Sequence, residues 1–183
     1  MAYVVAVSGI SGAGKTSVIR RASEILESSV GLYFDDYAAA STYPPDLMEW
    51  VERGANVDEW QTPQLAADLR ALREGPDVVV LVEEPFGKLR REMAGLIDLA
   101  IHLEVPADVL LARRLMRRIE EQRDSKTLIA RLEDDLRHHL AAGRKLDALG
   151  SAEAAKAADV VIDATMSIDE IAERVVDEIR RRL

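Results

Sequence analysis

Apolar positions along the chain follow two rhythms. Unbroken, largely β-branched runs stand at residues 3–7 (YVVAV) and 77–82 (DVVVLV), with a further strand at 31–34 (GLYF), a weaker one at 99–103 (LAIHL) and a last short one at 159–163 (DVVID). Runs of this kind suit strands buried on both faces of a parallel sheet. Between them the apolar residues recur every third or fourth position. Val18, Ile19, Ala22, Ile25 and Leu26 predict a helix over 15–27. Pro63 opens a second helix to about residue 73, closed by Glu74-Gly75-Pro76. A third begins at Pro106 or Ala107 and runs to about 121, and Ser125 caps a fourth over about 126–140. Ser167 caps the last, whose residues Ile168, Ile171, Val175, Val176 and Ile179 share one face. Five strands separated by helices predict an α/β three-layer sandwich with a five-stranded parallel sheet, a single domain over 1–183.

One stretch breaks the rhythm. From 38 to 61 the pattern is irregular, with a turn at Tyr43-Pro44-Pro45, a short helix over 46–53, and Trp50 and Trp60 bracketing a polar segment. A stretch this long with little regular structure inside a compact domain is more often a binding loop or lid than a linker.

Composition narrows the function classes. The formal net charge of −9 gives an overall field that repels nucleic acid, so a nucleic-acid partner is not expected. The absence of cysteine removes disulfides and thiolate metal sites. No apolar run is long enough to cross a bilayer, and the first residues read as a strand, not a cleavable leader. The expectation is a cytoplasmic protein without a membrane partner; a homo-oligomer stays open.

In open parallel sheets ligands gather at the carboxyl ends of the strands. After the first strand comes GISGAGKT, residues 9–16, which fits the phosphate-binding pattern G-x-x-x-x-G-K-[ST] without mismatch. Glycines let backbone N–H groups approach a phosphate chain, and the following helix adds the positive end of its dipole. Gly9, Ser11, Gly12, Ala13, Gly14, Lys15, Thr16 and Ser17 are therefore the expected nucleotide-binding set. Lys15, expected as an exposed cation, reaches the outer phosphates, and the Thr16 hydroxyl is placed to ligate Mg²⁺. Asp35 and Asp36 follow the second predicted strand, where one carboxylate would orient an alcohol and accept its proton. Glu83 and Glu84 end the strongest strand, where one carboxylate would hold magnesium. Adjacent strand residues face opposite ways, so only one of each pair is expected to face the site.

Arg113, Arg114, Arg117, Arg118 and Arg123 form the one dense basic cluster in an acidic chain. Their forked donors suit phosphate clamping, and Glu120, Glu121 and Asp124 are their alternative partners on a solvated face. His138-His139 lie on a polar helix and read as surface residues, while Trp60 either stacks on a substrate ring or packs the loop against the core.

These residues together resemble the uridine kinase family of P-loop kinases, which includes nicotinamide riboside kinases and phosphoribulokinase. SGISGAGKTS resembles its phosphate loop, FDDY its strand-end acidic motif, VVVLVEEPFG its strand ending in a Glu-Gly pair, PADVLLARRLMRRIEEQRDS its arginine-bearing lid helix, and AADVVID its last strand. The resemblance implies ATP as donor, Mg²⁺ as cofactor and a small-molecule acceptor, with a helical lid over about 113–125 and an acceptor region over about 38–61. It places the catalytic carboxylate at Asp35, the second magnesium ligand at Glu83 and the lid arginines at Arg114, Arg117 and Arg123. In that scheme Lys15 and Arg117 serve the transfer, Arg114 the nucleotide, and Asp36, Asp58, Trp60, Gln61 and Arg123 the acceptor. The register of the acceptor segment leaves either Asp58 or Gln61 in the family's aspartate position. Glu84-Pro85 departs from the family by replacing the glycine after its glutamate. A nucleoside kinase is the reading favoured by the resemblance; a kinase for a vitamin precursor or sugar and a P-loop switch or assembly ATPase are the alternatives.

Overall fold

The two apolar rhythms become alternating strands and helices. In the computed structural model, which describes the backbone of residues 1–183 and all side chains except those of Ala142, Leu146 and Leu149, β1 (Tyr3–Ser8) leads through the phosphate loop into α1 (Lys15–Ile25). β2 (Ser29–Leu32), α2 (Leu47–Glu52) and α3 (Pro63–Arg73) follow, then β3 (Val79–Glu83), α4 (Arg91–Ala94) and β4 (Leu99–Glu104). The C-terminal part holds α5 (Ala107–Gln122), α6 (Leu128–His138), α7 (Arg144–Lys156), β5 (Val160–Asp163) and α8 (Ile168–Arg180).

The strands form one all-parallel sheet in the order β2-β3-β1-β4-β5, with Tyr3 registered on Val79 and Val5 on Leu99. Strand alternation divides the core in two. Val5 and Val7 of β1 and Val79 and Leu81 of β3 pack against α1, α5 and α8; Val4, Ala6, Val80 and Val82 pack on the opposite face against α3 and α4. The three-layer sandwich expected from the pattern is the fold observed. α8 is fixed at its start by Ser167, whose hydroxyl accepts from the Glu170 amide while the Glu170 carboxylate accepts from the Ser167 amide.

The sequence pattern and the structure part company in three places. β2 ends at Leu32, paired with Val82, and Phe34–Ala40 forms 3₁₀ turns where a strand over 31–34 was expected. The cause is packing: Phe34 leaves the sheet edge to bury its ring in the core beside Tyr43, and the Asp36 amide closes a turn on the Tyr33 carbonyl. The irregular stretch is more ordered than its pattern. It contains α2, capped by the Asp46 carboxylate, a 3₁₀ turn over Val57–Glu59, and an antiparallel bridge from Thr42 to Gln61 that ties its ends together. Finally, two helices were not predicted: α4, a single turn, and α7, whose RKLDALGSAEAAK carries no clear apolar stripe.

Candidate active site

A cleft of about 960 Å³ opens at the carboxyl ends of the strands. The phosphate loop forms its floor. A side chain at Gly9 (φ +142°) would be strained and crowded, because a Cβ would stand 3.0 Å from the Leu103 carbonyl oxygen; at Gly12 (φ +92°) it would meet Arg114 Cγ at 3.3 Å. The loop therefore runs close beneath β4 and α5, with Gly9, Ser11, Gly12, Gly14, Lys15, Thr16 and Ser17 all facing the cleft and Ala13 turned into the core. No side chain caps the N-terminus of α1, which begins at this loop. Its free N–H groups and dipole favour an anion there.

Lys15 departs from the expectation of an exposed cation: it is only 8% exposed. Its Nζ lies 3.4 Å from Glu83 Oε1, and the Thr16 hydroxyl donates to Glu83 Oε2 at 2.8 Å. Burial pushes the Lys15 pKa below its ordinary value, while Glu83 and, further off, Asp35 pull it back up. Thr16 and Glu83 thus present two hard oxygen donors side by side. Among the described residues no three His, Cys, Asp or Glu side chains form a self-contained metal cage. Mg²⁺ bound with a nucleotide needs only one or two protein oxygens in addition to phosphate and water, so Thr16 and Glu83 fit it.

The next residue faces the other way. Glu84 is fully buried and receives the Arg90 guanidinium through Nε–H to Oε1 at 3.0 Å and Nη2–H to Oε2. Burial pushes the Glu84 pKa up and Arg90 opposes that push. This explains the departure from a glycine at that position: Glu84 is an internal structural anion, and the pair was not foreseen. The run LRRE, in which Arg90 immediately precedes a short helix, held no signal that one of its two arginines would be buried.

Asp35 lies on the 3₁₀ turn at the cleft edge, together with Phe34, Leu47, Trp50, Trp60, Pro85 and Phe86. Asp36, one residue on, is exposed and lies outside the cleft wall. Trp60 does both things expected of it as alternatives. Its ring packs with Tyr43, Trp50 and Phe86, centroids 5.1, 5.8 and 5.4 Å away, and it also lines the cleft. Asp58 and Gln61 are not part of the wall. Asp58 accepts the Arg91 amide and pairs with its guanidinium at 2.7 Å, and Gln61 is exposed and engaged through its backbone with Thr42.

The arginines of α5 form the roof. Arg113, Arg114, Arg117 and Arg118 line the cleft, whereas Arg123, at the exposed end of the helix, does not. Arg114 lies directly on the loop, donating from Nε to the Ser11 carbonyl at 2.7 Å, and its two Nη groups hold Asp147 of α7 at 2.8 and 2.9 Å. Arg117 is 60% exposed with a loose contact to Glu121, and Arg118 pairs with Asp135 of α6. Of the acids expected as alternative partners only Glu121 serves; Asp135 and Asp147, distant in sequence, are the others. His139 is a further correction. It is buried in the π-helical turn His139–Gly143 between α6 and α7, while His138 beside it is exposed as expected; both line the cleft. Below the loop, Ser8 Oγ stands 3.0 Å from His102 Nδ1, and His102 Nε2 stands 3.2 Å from Ser151 Oγ on α7. Burial, with Lys15 nearby, lowers the His102 pKa to about 4, so its ring is neutral.

A family profile described as an AAA domain matches residues 5–139. The uridine kinase of Borreliella burgdorferi (strain ZS7) is 26% identical over 144 residues, covering 67% of this chain and 70% of its own length. That of Chlamydia pneumoniae is 26% identical over 153 residues, covering 67% and 66%. Among solved structures, shikimate kinase from Acinetobacter baumannii superposes with a TM-score of 0.55 at 16% identity, covering 100% of this chain and 95% of that one. Shikimate kinase from Aquifex aeolicus gives 0.51 at 16% identity, covering 98% and 97%. At such identities the structures speak for the fold alone. Among the described residues no helix is long and apolar enough to cross a membrane.

Proposed function

The chain belongs to the AAA domain family, and from that premise we propose that it transfers the γ-phosphoryl group of ATP to a hydroxyl of a small molecule, with a nucleoside as the favoured acceptor. One observation carries the reading. A single cleft joins a phosphate loop with its Lys15–Thr16–Glu83 cluster to a carboxylate, Asp35, set in an aromatic wall of Phe34, Trp50, Trp60 and Phe86. The named relatives, uridine kinases, and the shikimate kinase-like fold support a kinase.

The proposed step needs little covalent chemistry from the protein. The acceptor oxygen attacks the γ-phosphorus, the bond from that phosphorus to the β–γ bridging oxygen breaks, ADP leaves, and the hydroxyl proton passes to Asp35. Loop N–H groups and Lys15 hold the phosphate oxygens, and Arg114 and Arg117 stabilise charge on the transferring group from above. Thr16 and Glu83 are the residues that would hold Mg²⁺, which supplies charge neutralisation on the β- and γ-phosphates. We take residues 38–61 as the acceptor region and 113–125 as the lid within one kinase domain over 1–183. Closing the lid excludes water, the competing acceptor.

A second reading keeps the chemistry and changes the acceptor to a non-nucleoside alcohol. Asp58 and Gln61, either of which the resemblance would put in the aspartate position of the acceptor segment, stand outside the cleft wall. ATP turnover measured alone and with panels of nucleosides, sugars and vitamin precursors separates the two. Stimulation by nucleosides supports the first reading and stimulation by another class supports the second. Turnover stimulated only by a protein partner overturns both in favour of a switch ATPase.

A further inference from the structure

Arg90 is 1% exposed, and its partner Glu84 is wholly buried. Beyond the two bonds to Glu84, its Nη1 donates to the Trp60 carbonyl and, at 2.9 Å, to Thr62 Oγ1. Its guanidinium carbon lies 5.8 Å from the centre of the Phe34 ring. One side chain therefore touches three separate pieces of the cleft: the end of β3, the segment that carries Trp60 into α3, and the turn that carries Asp35.

A buried ion pair is not needed for stability, since well-packed apolar residues of similar volume often serve equally well. What an apolar side chain cannot do is hold a backbone carbonyl in place. Lysine cannot replace the planar fork either, because its donors radiate from one point. The features used here are the ones only arginine has: two donors on one carboxylate and a third nitrogen on two further oxygens. The phosphate side makes no use of them. Lys15, Thr16 and Glu83 face the loop, on the other side of the strand end.

We propose that Arg90, oriented by Glu84, is a positioning residue for acceptor recognition, fixing the Trp60 face of the cleft relative to Asp35. The proposal rests on the kinase reading of the cleft. The attacking oxygen must stand about 3–3.5 Å from the phosphorus, and a misplacement near 1 Å can cost about a hundredfold in rate. A wall that sets the acceptor therefore needs a rigid anchor, and the nucleotide site does not depend on it.

The test compares wild type with the double variant Glu84→Met/Arg90→Met and with Arg90→Lys. Each is also made in a Trp50→Phe background, where Trp60 is the remaining tryptophan. The double variant is expected to unfold at a denaturant midpoint near wild type and to bind an ATP analogue with unchanged affinity. Its Trp60 fluorescence becomes more easily quenched by acrylamide, and the acceptor KM rises at least about tenfold. Wild-type quenching and wild-type acceptor KM in the double variant would overturn the proposal and leave the pair a packing element. Should the double variant not fold, Arg90→Lys, which keeps a charge beside Glu84, carries the same expectation for KM and quenching. Failure of the kinase reading has a different signature: no small acceptor stimulates the wild type. Quenching then decides the Trp60 anchor, and the acceptor role falls with the reading.

Discussion

Glu83 and Glu84 are neighbours at one strand end, each buried and each facing a single base, yet they do opposite work. Glu83 meets Lys15 at 3.4 Å without a close hydrogen bond and takes its short contact from the Thr16 hydroxyl. Glu84 is gripped by the Nε–Nη2 edge of the Arg90 guanidinium, whose remaining nitrogen holds Trp60 and Thr62. In the proposed reading the first pair is the one that trades partners with phosphate and a divalent cation. The second has no free oxygen to offer a ligand and no solvent beside it. The strand's alternation, which sends adjacent side chains to opposite sides, lets one dipeptide serve a site that must exchange ligands and a frame that must not move.

Cutting the frame should have the largest effect. Arg90→Met alone strands the buried Glu84 charge and is expected to lower unfolding free energy by about 3–5 kcal/mol, measured by denaturant titration. A loss below about 1 kcal/mol would mean that Glu84 takes a proton at little cost and that the two pairs are less unlike than their geometry.

On the exchanging side, Asp35→Asn is expected to reduce kcat about 10²–10⁴-fold with little change in ATP affinity, as for loss of a general base. Asp36→Asn, altering an exposed side chain outside the cleft wall, should stay near wild type in the same assay. Reversal of the two would move the proton acceptor one residue along the 3₁₀ turn. Lys15→Met should lower kcat about a hundred- to thousandfold, roughly 3–4 kcal/mol of barrier, while costing less stability than Arg90→Met. If it destabilises the fold as much, then Lys15–Glu83 is a structural pair like its neighbour.

The smallest expected effect is on pH dependence. His102 has its pKa lowered in the fold from 6.5 to about 4. The unfolded chain therefore takes up a proton that the native ring refuses, and stability falls as pH drops through the window between those values. The loss is on the order of 2–3 kcal/mol by pH 4.5 and absent above pH 7. Comparing the unfolding free energy of wild type and His102→Gln at both pH values isolates this from carboxylate titration. An identical pH dependence would place the sensitivity elsewhere.

Much of this contrast could be read in the chain, and the reasons it stops are physical. β1 and β3 announce themselves because burial on both faces demands continuous apolar runs, whereas the equally buried β4 is masked by His102. The phosphate loop is legible because its backbone geometry demands particular glycines. That Glu83 and not Glu84 faces the loop follows from alternation plus resemblance. The destination of Glu84 does not, because the identity of a buried partner depends on where residue 90 returns in space. The same holds for Arg114 with Asp147 and Arg118 with Asp135, pairs separated by whole helices. Phe34 misled in a simpler way: an aromatic pair after Gly31-Leu32 reads as strand, but tertiary packing drew Phe34 off the sheet edge.

The strand order has a consequence in time. β1, which presents the phosphate loop, precedes every other described element, yet its two sheet partners begin at Val79 and Leu99. Closing those long loops must come before the central pairings reward it, which places this chain among slow, non-local folders. Until β4 arrives there is no Leu103 carbonyl against Gly9, and until α5 follows there is no Arg114 above Gly12. A growing chain thus carries the complete nucleotide motif through most of its synthesis while the pocket that would use it is still unbuilt.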